Sequence, residues 1–290
     1  ERLLAIYNSR SRIPFAAKRR EWLYNFWLDE QNPRGLWRRT TLAEYRKSEP
    51  AWETVLDIGK LSADENEKWV FKGSTCLYPE YRRCFIALSR AGADAHEVRE
   101  FDTQEKDWVK DGFRAPESKG ELAWRDLDTV YAARDFGPGS VTTSGYPRTV
   151  REWKRGTPLA EAKTIFEAEE SDVSAGVAVV NEPGRRYEVL SRAIDFWRSE
   201  DSILRGGRWE KIGTPQDAVI ALFVPAVSAT ADAVATAIVE AGSAAVGDKP
   251  ILAVVMSAEG IPGPLRAGHS GAAFTYPESA AHALGRAAHG

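Results

Sequence analysis

Gly268-His269-Ser270-Gly271-Ala272 comes nearest in this sequence to a serine-nucleophile turn, which needs Gly-x-Ser-x-Gly on a sharp bend from strand into helix. The element order is wrong for it. Residues 264–266 read as helix before the motif and 273–276 as strand after it, and the partners that should follow reduce to His282 and His289 in an alanine-rich helix. His269 and Ser270 are the catalytic candidates the sequence offers, and a plain loop is the favoured reading of both. Asp126 and Asp128 flank a strand start and read as turn hydrogen-bonders rather than an acid/base pair. His96, after a Gly-Ala-Asp-Ala turn, reads as a solvated or capping residue. Cys76 and Cys84, eight apart across a Tyr-Pro-Glu-Tyr turn, read as free buried thiols, with cross-strand pairing the alternative. No metal and no cofactor is expected.

The composition that must position these residues changes along the chain. All ten tryptophans fall between Trp22 and Trp209, whereas residues 213–290 hold 21 alanines in 78 positions and nine charged side chains, six acidic and three basic. Such a shift marks a domain boundary, so the expected domains are 1–212 and 213–290. A natural fusion, an assembly error and an engineered junction all fit such a seam. The whole chain, with 39 basic and 42 acidic residues and a net charge of −3, gives no reason to expect a nucleic-acid partner. No apolar run approaches the roughly 18 to 20 residues that span a bilayer, and no membrane partner is expected. The chain starts at Glu1 rather than Met, which reads as a missing natural start and with it any leader, so a cytoplasmic location is only the default expectation.

Residues 1–212 read as all-β. Strands are expected at 22–28, 36–41, 52–58, 68–72, 84–89, 97–101, 121–125, 129–133, 149–154, 164–167, 177–180, 187–191, 193–199 and 208–212, each bounded by turn residues such as Gly137-Pro138-Gly139 and Ser144-Gly145-Tyr146-Pro147. That spacing suits a sandwich, barrel or propeller. A charge-flanked aromatic recurs at Trp37, Phe85, Trp153 and Trp209, at gaps of 48, 68 and 56 residues, a loose match to a blade repeat.

The run DFGPGSVTTSGYPRTVREWKRGTP at 135–158, with NSRSRIPFAAKRREWLYNFWLDEQNPRGLWRRTTLAEYRKSEPAWETVLDI and KWVFKGSTCLYPEYRRCFIALSRAGADAHEVREFD before it, resembles the β-propeller domain of the bacterial prolyl oligopeptidase family of serine peptidases. The likeness covers most of residues 8–212. It implies a seven-bladed lid that admits peptides to an active site in a separate α/β-hydrolase domain, with about four blades present here. Residues 1–212 contain no Gly-x-Ser-x-Gly, so the expected function is a substrate-gating propeller fragment without its hydrolase domain, inactive alone. The expected partners are peptides, and other chains that pair with the open sheet edges of a partial propeller. The arginine pairs at 19–20, 38–39, 82–83 and 185–186 read mostly as solvated faces, with a few free to meet peptide carboxylates in a central tunnel.

Residues 213–290 change period. Strands at 217–225, 251–256 and 272–276 alternate with helices at 228–245, 262–266 and from 277 onward, a β-α-β-α-β-α order of doubly wound type. DAVIALFVPAVSATADAVATAIVEA, KPILAVVMSAEGIPGPLRAG and FTYPESAAHALGRAA resemble the flavodoxin-like CoA-ligase domain of the NDP-forming acyl-CoA synthetases. Gly268-His269-Ser270-Gly271-Ala272 is similar to the phosphohistidine loop of succinyl-CoA synthetase, which would make His269 a phosphoryl carrier. Its place ahead of the final strand, where acyl-CoA synthetases carry no catalytic His, favours a loop residue instead.

Overall fold

The computed structural model describes residues 14–182, 184–212, 219–223, 231–244, 251–256, 260–267 and 271–287. The chain divides into two compact units, Glu1–Lys211 and Ile212–Gly290.

The first unit is a run of four antiparallel sheets, each a propeller blade. Blade one comprises β1 (Ala17–Arg19), β2 (Trp22–Trp27), β3 (Leu36–Thr41) and β4 (Glu53–Asp57). Blade two comprises β5 (Trp69–Cys76), β6 (Arg83–Arg90), β7 (His96–Asp102) and β8 (Asp107–Trp108), with β9 (Arg114–Ser118) returning to pair with β7. Blade three comprises β10 (Glu121–Trp124), β11 (Thr129–Ala133), β12 (Thr149–Lys154) and β13 (Lys163–Glu167). Blade four comprises β14 (Ser174–Glu182), β15 (Arg185–Ala193), β16 (Ser199–Arg205) and β17 (Arg208–Lys211). First strands begin at Ala17, Trp69, Glu121 and Ser174, a repeat of 52 to 53 residues.

Blades pack face to face, so an inner blade must be apolar on both faces of a period-two strand. In β6, Cys84, Ile86 and Leu88 enter the core shared with blade one, while Phe85 enters the core shared with blade three. In β11, Val130 and Ala132 enter that second core, while Tyr131 and Ala133 enter the core shared with blade four. Phe85 stacks on Trp124 at 3.9 Å between ring centroids, locking blade two to blade three. Among the described residues no core cluster joins blade four to blade one.

Several expectations are corrected here. Trp37 lies on a third strand, Phe85 on a second, Trp153 on a third and Trp209 on a fourth, so their recurrence is not the blade repeat. The strand expected at 193–199 is instead the end of β15, a turn at 194–198 and the start of β16. Asp195 Oδ1 accepts from the N–H groups of Trp197 and Arg198 (2.9 and 2.8 Å), folding the segment into the turn between β15 and β16. Two helices were not anticipated: α1 (Leu42–Tyr45), capped by Thr41, and α2 (Ile58–Asp64), capped by Asp57. The cysteines are not free: Cys76 and Cys84 are opposite partners on β5 and β6 and form a disulfide, because the ladder sets them side by side.

The second unit is a parallel sheet in the order β18 (Val219–Phe223), β19 (Ile251–Val255), β20 (Gly271–Phe274), with α3 (Ala231–Ala244), α4 (Gly263–Ala267) and α5 (Pro277–Ala287) following the strands in turn. Along β19, Ala253 and Val255 pack with Ala235 and Leu265, while Leu252 and Val254 pack with Ala280. Burial on both faces is what a helix-covered parallel strand requires. No helix among the described residues is long and apolar enough to cross a membrane.

Candidate functional site

A cleft of about 570 Å³ opens where β5, β10 and β14, the first strands of three successive blades, come together. Thr75 and Cys76 end one wall, Leu122 to Arg125 make the second, and Val177, Val179 and Asn181 make the third. The loop through Leu77, Tyr78 and Pro79, tied at its base by the disulfide, forms a lip. Trp124 fixes two walls to each other by donating its indole N–H to the Thr75 carbonyl at 2.9 Å.

The charged groups of the cleft are held from behind. Arg125 pairs with Glu152, and Arg186 donates to Glu188 Oε1 (2.6 Å) and to the Arg125 carbonyl (2.5 Å), tying blade four to blade three. The Tyr131 hydroxyl bonds Glu188, and burial together with that carboxylate pushes the phenol well above its ordinary range. Arg185 makes no ion pair among the described residues.

A second cleft of about 410 Å³ shares Glu121 and Val177 with the first and is lined by His96 of blade two and by Ser191 and Asp201 of blade four. These three do not make a triad. Ser191 Oγ donates to Asp201 Oδ1 (2.5 Å), whereas the His96 nitrogens face the Asp94 carbonyl and Arg134, each at 3.3 Å. Arg134 is buried and donates to the carbonyls of Gly120 (2.7 Å), His96 (2.5 Å) and Pro116 (2.6 Å). Burial lowers its pKa to about 10, which leaves it charged at neutral pH. Burial, and then Arg134, hold the His96 imidazole below its ordinary range. His96 is thus half-buried between blades, not a solvated residue.

His269 and Ser270 lie outside the described residues. Asp126 and Asp128 are turn residues as expected: Asp126 Oδ1 accepts from the Asp128 N–H at 2.9 Å. The expectation of solvated arginine pairs holds for Arg20, Arg82, Arg185 and Arg186, which are exposed, and is corrected for Arg19, Arg38 and Arg39. Arg39 is buried against Glu53 and Tyr24, Arg38 lies over Trp27 and Trp52, and Arg19 crosses to Ser74 of blade two. These three guanidinium groups lie over aromatic rings, which strip water from one face of each. Arg134 and the exposed edge of β14 were not singled out from sequence. The signal for Arg134 is indirect, an arginine directly after an apolar strand. Among the described residues no cluster of His, Cys, Asp and Glu could hold a metal ion.

Residues 1–187 match the family described as prolyl oligopeptidase, N-terminal beta-propeller domain. The chain belongs to the prolyl oligopeptidase family. It is 40% identical over 200 residues to the uncharacterized peptidase y4nA of Sinorhizobium fredii, covering 68% of this chain and 28% of that protein. It is 31% identical over 230 residues to the uncharacterized peptidase RP174 of Rickettsia prowazekii, covering 74% and 32%. Among solved structures it is similar to a post-proline cleaving enzyme from Rickettsia typhi, with a TM-score of 0.69 and 29% identity over 74% of this chain and 33% of that one. Oligopeptidase B from Leishmania major shares the fold, at a TM-score of 0.54 and 11% identity over 73% of this chain and 29% of that one. The chain spans under a third of the length of the curated relatives it matches. These 290 residues carry a prolyl-oligopeptidase-family propeller fragment and not the hydrolase domain.

Proposed function

We propose that residues 1–212 are the substrate-gating part of a prolyl oligopeptidase-type serine peptidase, engaging oligopeptides while cutting none themselves. The cleft between β5, β10 and β14 carries this reading. It joins three blades, offers apolar, charged and main-chain surface together, and contains neither a serine nor a histidine. Proline-containing oligopeptides are the expected guests, by analogy with the post-proline cleaving relative. A fluorogenic proline-containing peptide should remain uncut by the purified chain while quenching or enhancing tryptophan emission, since Trp124 stands in the cleft wall. Cleavage that a serine-directed phosphonate abolishes would overturn the reading.

A second reading, self-association, is favoured by the outward face of blade four. Ala178, Val189 and Ile203 lie in register across it, and Val180 is exposed beside them. Sedimentation across a hundredfold range of concentration tests it, and a constant monomer removes it. For the second unit, the parallel β-α order supports a CoA-ligase-like, flavodoxin-like reading at the level of architecture alone. An acid-labile phosphate on His269 after incubation with acetyl phosphate is the result that reading requires.

A further inference from the structure

We propose that the free edge of β14 is a strand-capture site, at which an extended oligopeptide pairs main chain to main chain with residues 177, 179 and 181. The proposal rests on the peptide-engaging reading above and gives it a place and a geometry. β14 is an edge strand, paired on one side with β15 alone. At its start the Ala175 N–H turns away from β15 and donates to the Pro147 carbonyl at 2.7 Å. In an antiparallel ladder the direction alternates residue by residue, so 177, 179 and 181 turn their N–H and C=O groups to that same side. Val177, Val179 and Asn181 line the cleft with β10 and the end of β5, together with Ala178 and Glu182 of the same strand. Among the described residues those outward main-chain groups have no partner in the chain.

Exposed edges are normally blunted by bulges, prolines or charge. Among the first-strand ladders, β5–β6 carries a register break and β1–β2 and β10–β11 pair over only three and four residues, whereas β14 and β15 pair through nine consecutive residues without a break. The strand Ser174–Glu182 contains no proline and no charge before its last residue. A long, regular, uncharged edge inside a cleft is a template for another strand. Nine residues at about 3.3 Å each give an edge of roughly 30 Å, enough for several residues of guest. The side chains of Val177 and Val179 are committed to the core against blade three, so recognition falls to the main chain. Ala178 and Val180 present small apolar side chains on the other face, beside the bare backbone of Gly176, which suits apolar guest side chains. The ligand class is therefore an extended peptide, free of proline where it pairs, with little demand on its sequence.

The test uses the full 290-residue chain and an end-capped seven-residue peptide alternating threonine and valine, alongside the same peptide N-methylated at every residue. The unmodified peptide should bind and should slow hydrogen exchange at the Val177, Val179 and Asn181 amides, leaving Ala178 and Val180 as they were. The methylated peptide should bind about tenfold more weakly or worse, having lost its donors. Equal binding of both peptides refutes main-chain capture while leaving the peptide-engaging reading intact. Protection appearing instead along Arg208–Lys211 refutes the assignment to β14. Binding of neither peptide refutes the capture site, and failure of proline-containing peptides as well refutes the broader reading.

Discussion

Arg155 and Glu100 join two blades through a two-pronged contact. Arg155, directly after β12, sets Nη1 at 2.8 Å and Nη2 at 3.1 Å from the two carboxylate oxygens of Glu100, a fully buried residue of β7. The Phe113 N–H donates to the same carboxylate at 2.9 Å, and the guanidinium lies over the Phe113 ring. Removing only Arg155 leaves the buried carboxylate with the Phe113 N–H and with Arg83 at 3.9 Å, an under-compensated charge that costs more than the pair contributes. Arg155→Ala should therefore destabilise the first unit by about 3 kcal/mol, and the double replacement Glu100→Met with Arg155→Met should recover much of that. Tryptophan emission reports on this unit alone, because all ten tryptophans lie within it. Urea curves showing a loss below about 1 kcal/mol for the single variant would contradict the buried-charge account.

Gly120 connects β9 to β10 at φ +93°, where an added Cβ would meet the Ala133 carbonyl oxygen at 2.1 Å and Pro147 at 2.3 Å. Gly139 also has positive φ but open space around it. Gly120→Ala should cost at least about 3 kcal/mol and Gly139→Ala about 1 kcal/mol, the difference being collision with backbone rather than φ alone. Equal midpoints for the two variants in thermal melts would count against this close approach of Gly120 to the end of β11.

His96 should make stability depend on pH. Its folded-state pKa is depressed below the unfolded value of about 6.5, so the neutral ring is the form that folding favours. Its contribution is complete above about pH 6.5 and is lost as pH falls through the lower folded pKa. The groups acting on it are Arg134 and Lys72, which oppose protonation, and the Asp94 carbonyl and Glu121, which favour it. Unfolding free energies measured at steps between pH 7.5 and 5 should fall more steeply for the parent than for His96→Gln. Parallel slopes would remove His96 as the cause.

Cys76 and Cys84 should resist alkylation in denaturant without reductant and take two labels after reduction. Closing so short a loop restricts the unfolded chain, so the pair Cys76→Ser with Cys84→Ala should lose about 2 to 3 kcal/mol. Quantitative labelling of unreduced protein would show that the cysteines are free.

The alternation of apolar residues in β6 and β11, the turn chemistry at Gly137-Pro138-Gly139 and the 3.6-residue period of α3 are local properties, and most strands and helices could be placed from them. The aromatic recurrence misled because Trp37, Phe85, Trp153 and Trp209 fill inter-blade space from different strand positions. Side-chain volume near a core is not tied to one strand of the blade. The turn at 194–198 was missed because Ile194, Phe196 and Trp197 carry strand-like composition, while one Asp195 carboxylate decides the backbone.

Local sequence by itself determined the all-β front, the α/β back and the family, since strand period, turn residues and motif runs are written within short windows. Pairing of Cys76 with Cys84, burial of Arg134 and the open side of β14 were decided only by tertiary structure. Each depends on which residues from distant strands stand opposite one another, and a ladder's register or an inter-blade core exists only once those strands have met.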